Sequence, residues 1–102
     1  MKYSVEFAPE AESQLLALYF HIALAASPNI ATHYTDSIIE QCQTRSTFPN
    51  RGMKRDDIRP GVRVFGIRKR VSIAFVVEDD VVTILGIYYG GQNFEGLLHE
   101  DE

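Results

Sequence analysis

A chain of 102 residues with 45% hydrophobic and 24% charged residues has the size and composition of one folded domain, which excludes a disordered segment. The single cysteine, Cys42, excludes a disulfide framework within one chain and a cysteine-based metal cluster. No segment has the length of a membrane span and residues 1–6 do not form a signal peptide, so we expect a cytoplasmic protein without membrane contact.

The net charge of −4 is unevenly distributed. Residues 51–70 contain eight basic and two acidic side chains, a net charge of +6, whereas the rest of the chain carries −10. Such a basic segment is typical of a patch for nucleic acid or for an acidic protein partner. A solvated loop and hairpin tip, kept soluble by its charge, is the simpler interpretation of composition alone.

The first elements are a strand and a helix. Residues 2–7 alternate apolar and polar, which predicts a half-buried strand, and Pro9 suits the first turn of a following helix. Leu16, Phe20 and Leu24 extend the apolar character of this helix beyond one face, so we expect a partner to cover them. The main apolar face is formed at helical spacing by Ala11, Leu15, Leu18, Ile22 and Ala25.

A second helix begins at Ser27-Pro28, where Ser27 can cap and Pro28 occupies the first turn. It ends before Pro49, since the residue preceding a proline is disfavoured in the helical region. A short link between the two helices predicts an antiparallel helical hairpin. Residues at helical spacing along the second helix are Ala31, Tyr34, Ile38, Cys42 and Arg45.

A basic loop over residues 49–61 precedes three β-rich runs, Val62–Ile67, Val71–Val77 and Val81–Tyr89. Charged breaks between them predict tight hairpins, and therefore an antiparallel meander. Val71–Val77 is almost wholly apolar, as expected of a central strand covered on both faces. Gly90 ends the last strand, and residues 93–102 are expected to form a flexible tail.

The predicted fold is therefore α+β, with the order β-α-α-β-β-β in a single domain over residues 1–102. We expect an antiparallel sheet with the helical hairpin packed on one face. The first strand joins at an edge or beside the last strand, because a lone strand is unstable. The other face is expected to be partly free and to serve as the working surface.

Motifs for metal or cofactor chemistry are absent from the sequence. It has no phosphate-binding glycine loop before a helix, no zinc spacing of His and Glu, and no nucleophile motif. His21, His33 and His99 are scattered, and the triplet Glu78-Asp79-Asp80 is more typical of a solvated turn than of a cation site. We expect neither a metal nor a cofactor.

Arg63 lies between Val62 and Val64, so it faces the open side of the sheet if those valines face the helices. Tyr88 and Tyr89 point to opposite faces, so only one can join Arg63. An Arg–Tyr pair could bind a phosphodiester, stack a base or stabilise charge in RNA cleavage. Alternatively, Arg63 pairs with a carboxylate and the tyrosines pack at an edge. The polar candidates are Lys54, Arg55, Arg63, Arg68, Tyr88 and Tyr89.

Five short motifs follow one another along the chain. Together with the order of elements they resemble the RelE/ParE superfamily of bacterial type II toxins, and the resemblance covers nearly the whole chain. Each motif is weak alone, whereas their order and spacing are fairly specific. The motifs are Tyr3-x-Val5-x-Phe7-x-Pro9-x-Ala11, Ser27-Pro28, Pro49-x-Arg51-Gly52, Gly61-Val62-Arg63, and Val82-x-Ile84-Leu85-Gly86-Ile87-Tyr88-Tyr89-Gly90-Gly91-Gln92-Asn93.

This resemblance implies a plasmid- or chromosome-borne toxin, as in plasmid stabilisation systems, which is neutralised by an antitoxin encoded beside it. The antitoxin is expected to wrap an extended and helical segment round the toxin, with Leu16, Phe20 and Leu24 in the contact. ParE-like members poison DNA gyrase. RelE-like members cleave messenger RNA on the ribosome with several Lys and Arg residues and often a C-terminal Tyr.

The chain departs from the superfamily pattern at its end. Many relatives have a histidine, one or two arginines and an aspartate where Tyr89, Gly91, Gln92 and Asn93 stand, and a tyrosine where Phe75 stands. The missing late cations and the acidic body favour a ParE-like gyrase poison that acts by protein–protein contact without chemistry of its own. Its expected target contacts are Lys54, Arg55, Arg63, Arg68 and Tyr89.

Two alternatives remain open. One is a ribosome-dependent ribonuclease of RelE type, with Lys54 and Arg63 binding phosphate and stabilising charge and Tyr89 transferring a proton or stacking on a base. The other is a non-toxic relative that only binds an antitoxin.

Overall fold

The computed structural model describes residues 3–67 and 70–90. Within them, a strand and two helices are followed by four strands, so the predicted order holds with one added strand. The flexible tail predicted for residues 93–102 lies outside the described residues. The elements are β1 Ser4–Phe7, α1 Pro9–Ala25, α2 Pro28–Gln43, a 3₁₀ turn Thr44–Ser46, β2 Met53–Lys54, β3 Arg63–Ile67, β4 Val71–Glu78 and β5 Val81–Tyr89.

The helical hairpin forms for the reasons that the sequence indicates. Pro9 and Pro28 occupy the first turns of α1 and α2, where a missing N–H costs nothing. The Ser27 hydroxyl accepts a hydrogen bond from the backbone N–H of Ile30 at 3.2 Å, which caps α2. Only two residues separate the helices, so they pack against each other as a hairpin on one face of the sheet.

The five strands lie in the order β1-β5-β4-β3-β2, which makes β4 the central strand. Strands β3 to β5 pair antiparallel, as predicted, and β2 pairs antiparallel to β3. Strand β1 pairs parallel to β5, so the sheet is mixed rather than fully antiparallel. The short strand β2 lies inside the segment predicted to be a loop. It pairs Met53 with Val64 and Lys54 with Arg63.

The direction of α1 explains the parallel pairing. The N–H of Ala8 donates to the carbonyl of Ile84 at 2.9 Å, and farther along the helix the Gln14 side chain accepts from the N–H of Ile87 at 2.7 Å. Helix α1 therefore continues along β5 beyond the end of β1 instead of folding back. Helix α2 then returns the chain to the starting end, from which β3, β4 and β5 alternate in direction and β5 runs with β1.

Both faces of the sheet contain apolar side chains. The helix-covered face holds the larger core, in which Phe75, Ile73 and Ile84 are completely buried against α1 and α2. The opposite face, expected to be partly free, carries a smaller cluster covered by the segment between β2 and β3. That cluster consists of Ile58, Val62, Ala74 and Tyr88, with Val64, Val76 and Leu85 packed against it.

Candidate functional site: an apolar groove and a cationic edge

A groove of about 920 Å³ lies where β1, α1 and the second half of α2 meet. Its apolar lining comes from every second residue of β1 and from the outer side of α1, with two glutamates at its rim. We call it the β1 groove. It is lined by Val5, Glu6, Phe7, Glu12, Ser13, Leu15, Leu16, Tyr19, Thr35, Ile39 and Gln43.

The outer edge of β1 borders this groove. The N–H groups of Ser4 and Ala8 donate to carbonyls of the β5 side, so even-numbered residues direct their backbone groups toward β5. Because these directions alternate along a strand, the N–H and C=O groups of Val5 and Phe7 point outward. In the part of the chain that the structure describes, no strand pairs with this edge. An added partner strand could bond to it.

The residues expected to contact an antitoxin follow one another along α1. Leu16 is 57% exposed and lines the β1 groove. Phe20 is 55% exposed, and its ring packs edge-on against Tyr19 with 5.5 Å between centroids. Leu24 is 89% exposed and lies beyond the groove. The three form an exposed apolar stripe, of which Leu16 reaches into the groove itself.

At the opposite edge of the sheet, Lys54 of β2 and Arg63 of β3 are direct cross-strand neighbours. Arg63 would face the open side of the sheet only if Val62 and Val64 faced the helices, and they do not. Val62 and Val64 belong to the smaller cluster, because the larger Phe65 and Ile67 fill the helix-side core. Arg63 alternates with the valines and therefore faces the side of the helices.

Two of the predicted target contacts have acidic neighbours. The guanidinium of Arg55 donates two hydrogen bonds to the carboxylate of Asp57, at 3.0 and 2.9 Å. The Lys54 ammonium lies 4.0 Å from Asp56, with both side chains mostly exposed. Exposed pairs of this kind contribute little to stability, but the Asp57 pair neutralises Arg55 as a ligand for other anions. Arg68 lies outside the described residues.

Tyr89 is distant from Arg63. Tyr89 of β5 pairs with Val71 of β4. Arg63 of β3 pairs with Phe75, which lies four residues farther along β4. Strand spacing and rise place the two residues about 16 Å apart. Tyr89 instead contacts the rings of His21 and Tyr34, at the rim of a pocket of about 220 Å³ beneath α1. Lys54, Arg63 and Tyr89 therefore do not converge as one catalytic group would.

Tyr88 is buried on the opposite face from Tyr89, as the alternation predicts. Its ring lies over Gly86, where an added Cβ atom would collide with the ring and the hydroxyl. Glycine is required at this position because the tyrosine approaches the backbone closely. Tyr88 is therefore a packing residue of the smaller cluster.

Sequence reasoning missed two residues of the second edge, Arg45 and Arg51. Arg45 is only 7% exposed, and its guanidinium stacks on Phe65 with the Cζ atom 3.7 Å from the ring centroid. The Arg51 guanidinium lies 4.5 Å from the ring centroid of Phe48. The available signal was a charged residue within the apolar face of the second helix. We call Arg45, Arg51, Lys54 and Arg63 the cationic edge.

Cys42 is buried one turn before Arg45, and burial raises the pKa of its thiol to about 12 although Arg45 opposes the shift. This thiol is therefore not a nucleophile at neutral pH.

Among the described residues, no group of three His, Cys, Asp or Glu side chains could hold a metal ion. No helix in this part of the chain has the length and apolar character needed to cross a membrane.

Comparisons with known proteins agree with this architecture. Residues 5–94 match the family model for the ParE toxin of the type II toxin–antitoxin system parDE. The chain is similar to a structure of the chromosomal ParDE system from P. aeruginosa, with 27% identity, a TM-score of 0.77, and coverage of 87% of this chain and 97% of that one. No curated protein sequence matches at a significant level.

A second solved structure, the toxin–antitoxin complex RelBE2 from Mycobacterium tuberculosis, shares the fold. It is 19% identical, with a TM-score of 0.59 and coverage of 87% of this chain and 99% of that one. The likeness to both structures confirms the α+β fold with two helices on a five-stranded sheet.

Proposed function

Since the chain belongs to the ParE toxin family of type II toxin–antitoxin systems, we propose that it is a toxin that inhibits DNA gyrase by protein–protein contact and is neutralised by a cognate antitoxin. Gyrase is a cytoplasmic enzyme, so this proposal places the action of the protein in the cytoplasm. Plasmid or chromosome stabilisation is the role that such a toxin would serve.

The observation that carries the contact mechanism is the separation of the candidate catalytic residues. A ribonuclease needs its charge-stabilising cations and its proton-transfer group around one phosphodiester, within hydrogen-bond reach of the reacting atoms. Lys54 and Arg63 lie at one edge of the sheet, whereas Tyr89 lies beneath α1 near the other end of the helix-covered face. A protein-contact mechanism needs no such convergence, since cations and aromatic rings can each touch the target independently.

The β1 groove supports the antitoxin part of the proposal. An amphipathic helix would place its apolar side chains in the groove beside Leu16, and an extended segment would bond to the outward backbone groups of Val5 and Phe7. Both modes of recognition are available side by side. The glutamates at the rim, Glu6 and Glu12, favour a segment that carries basic residues beside its apolar ones.

The target is tested by pulse labelling after induced expression without antitoxin, with thymidine and methionine incorporation followed in parallel. We expect thymidine incorporation to fall first, because stalled gyrase stops replication. Purified protein is expected to inhibit supercoiling by gyrase. An earlier fall in methionine incorporation, with transcripts cut on ribosomes, would instead support the ribonuclease, and no effect on growth would support an antitoxin-binding relative without toxicity.

A further inference from the structure

Arg45 is a buried cation without an acidic partner. Its Nη1 atom donates to the hydroxyl of Thr44 at 3.1 Å, but its buried Nε atom has no acceptor. In residues 3–67 and 70–90, no carboxylate oxygen lies within 4.0 Å of this guanidinium. Burial lowers the pKa of Arg45, and the nearby Arg51 acts in the same direction. Buried charges are normally paired, so this arrangement indicates a site for an anion.

Two further guanidinium groups converge on the same corner. Arg63 faces the helix side next to Phe75, and its Nη1 atom donates to the carbonyl of Gly52 at 3.4 Å. A Cβ atom added at Gly52 would lie 3.2 Å from the Phe75 ring, and the centroid of that ring lies 5.7 Å from the Cζ atom of Arg45. Arg51 directly precedes Gly52. Within the described residues, neither Arg51 nor Arg63 has a carboxylate partner.

We propose that Arg45, Arg51 and Arg63 bind a carboxylate that is presented by an acidic segment of a partner protein. A guanidinium matches a carboxylate through two parallel N–H···O bonds, and three guanidinium groups at one corner offer several such donors. The site lies at the edge of the sheet opposite to the β1 groove. The proposed site would be the same whether the toxin acts on gyrase or on the ribosome, so this proposal goes beyond the proposed function.

A protein segment fits this corner better than nucleic acid does. The guanidinium groups of Arg45 and Arg51 already cover faces of Phe65 and Phe48, which blocks base stacking there. The cations lie at one corner of the sheet rather than along a track, and outside residues 51–70 the chain carries a net charge of −10, which repels a phosphate backbone.

The test titrates the full-length protein with the capped peptide acetyl-Glu-Leu-Asp-Glu-amide and with its uncharged analogue acetyl-Gln-Leu-Asn-Gln-amide. The Nε–Hε resonance of Arg45 and the midpoint of thermal unfolding are followed. We expect the acidic peptide to shift the resonance saturably and to raise the midpoint, since a ligand of the folded state stabilises it. The analogue is expected to do neither.

Three variants sharpen this result. Arg45→Met keeps an unbranched apolar stem but removes the guanidinium group with its charge. We expect it to abolish peptide binding and, without peptide, to raise the unfolding midpoint by about 5 °C, because an unpaired buried charge is lost. Arg63→Gln is expected to weaken binding about tenfold. Arg70→Gln, an equal charge change at the exposed β3–β4 turn, should leave binding unchanged.

Three outcomes would overturn the proposal. The first is an Arg45 resonance that the acidic peptide leaves in place or that the uncharged analogue shifts equally. The second is a lower unfolding midpoint for Arg45→Met, which would mean that the buried guanidinium stabilises the protein without a ligand. The third is displacement of the acidic peptide from Arg45 by a ten-nucleotide oligouridylate at lower concentration, which would assign the site to RNA.

Discussion

The two edges of the sheet differ in chemistry. At the β1 edge, an apolar groove with two glutamates at its rim borders outward backbone groups. At the β2–β3 edge lie four cations, two of which, Arg45 and Arg51, stack on aromatic rings. Among the described residues only Lys54 of these four has a carboxylate within 4.0 Å. A partner segment that suits one edge does not suit the other. A single antitoxin that wraps round the sheet would therefore need a basic, apolar segment for the first edge and an acidic segment for the second.

The two edges also differ in the kind of free-energy cost that they impose on the protein when no partner is bound. An exposed leucine such as Leu16 forgoes about 2 kcal/mol of burial, which a partner can supply by covering it. Burying an unpaired guanidinium such as that of Arg45 costs roughly several kcal/mol in lost hydration, which a bound anion can offset. The first edge therefore contributes affinity through area, and the second contributes selectivity for charge.

The largest effect is expected at the ring beneath the cationic edge. Phe75 is completely buried on the central strand, and its ring contacts both Phe65 and the Arg45 guanidinium. Phe75→Ala is expected to lower the free energy of unfolding by about 3–5 kcal/mol, because it opens a cavity in the core. Chemical denaturation measures this loss.

Phe48→Ala is the matched control at the same edge, since this ring is 49% exposed. We expect it to change the free energy of unfolding by less than about 1 kcal/mol. Similar losses for the two variants would mean that the exposed ring of Phe48 stabilises this edge as much as the buried ring of Phe75 does.

At the other edge, Leu16→Asp is expected to weaken antitoxin binding by about 30-fold or more, because it puts a charge into an apolar groove. Phe20→Asp should act in the same direction with a smaller effect, since Phe20 lies beside the groove. Isothermal titration of the toxin with its antitoxin measures the change.

Ile30→Asp provides the comparison for both variants. Ile30 is 53% exposed, close to the values of Leu16 and Phe20, but it lies in the first turn of α2 and does not line the groove. We expect its affinity for the antitoxin to remain that of the wild type. Equal losses from Ile30→Asp and Leu16→Asp would place the interface elsewhere on the helices.

The buried thiol of Cys42, in the core between the two edges, is expected to make the free energy of unfolding depend on pH. Burial raises the pKa of Cys42 from 9.0 to about 12, so the folded state retains a proton that the unfolded state releases above pH 9. The stabilisation is therefore fully present below pH 9 and falls by about 1.4 kcal/mol per pH unit toward pH 12. Denaturation curves at pH 8 to 11 measure the slope.

The variant Cys42→Ala removes this titration while leaving every other group in place. We expect its stability to fall less steeply with pH than that of the wild type, and the difference between the two slopes isolates the thiol. Parallel curves for the two proteins would show that the thiol ionises in the folded state as easily as in the unfolded chain.

Most of the fold could be predicted because local signals and burial agree. The prolines at the helix starts, the Ser27 cap and the three β-rich runs act within a few residues of their own positions. The parallel pairing of β1 was not predictable in this way, because it depends on the path of α1 along β5, which tertiary hydrogen bonds from Ala8 and Gln14 fix. Strand β2 is two residues long and has no periodicity to detect.

The candidate site was predictable only in part. The exposed stripe of Leu16, Phe20 and Leu24 follows from helical spacing, and the structure places all three at the surface. The orientation of Arg63 could be stated only conditionally, because alternation fixes which residues share a face but not which face the helices cover. Arg45 follows Cys42 at helical spacing in the sequence, but its burial and the lack of an acceptor for its Nε atom are three-dimensional properties that spacing cannot reveal.

The smallest effect is expected at the turn between α1 and α2, the two helices that line the β1 groove. The Ser27 hydroxyl caps α2 by accepting from the N–H of Ile30 at 3.2 Å. Ser27→Ala is expected to lower the free energy of unfolding by about 1 kcal/mol. Thr32→Ala is the control, because the Thr32 hydroxyl bonds back to the carbonyl of Pro28 on the exposed side and caps nothing. A loss from Ser27→Ala that exceeds the loss from Thr32→Ala, together with weaker antitoxin binding, would show that the groove depends on the helical hairpin being held closed at this turn.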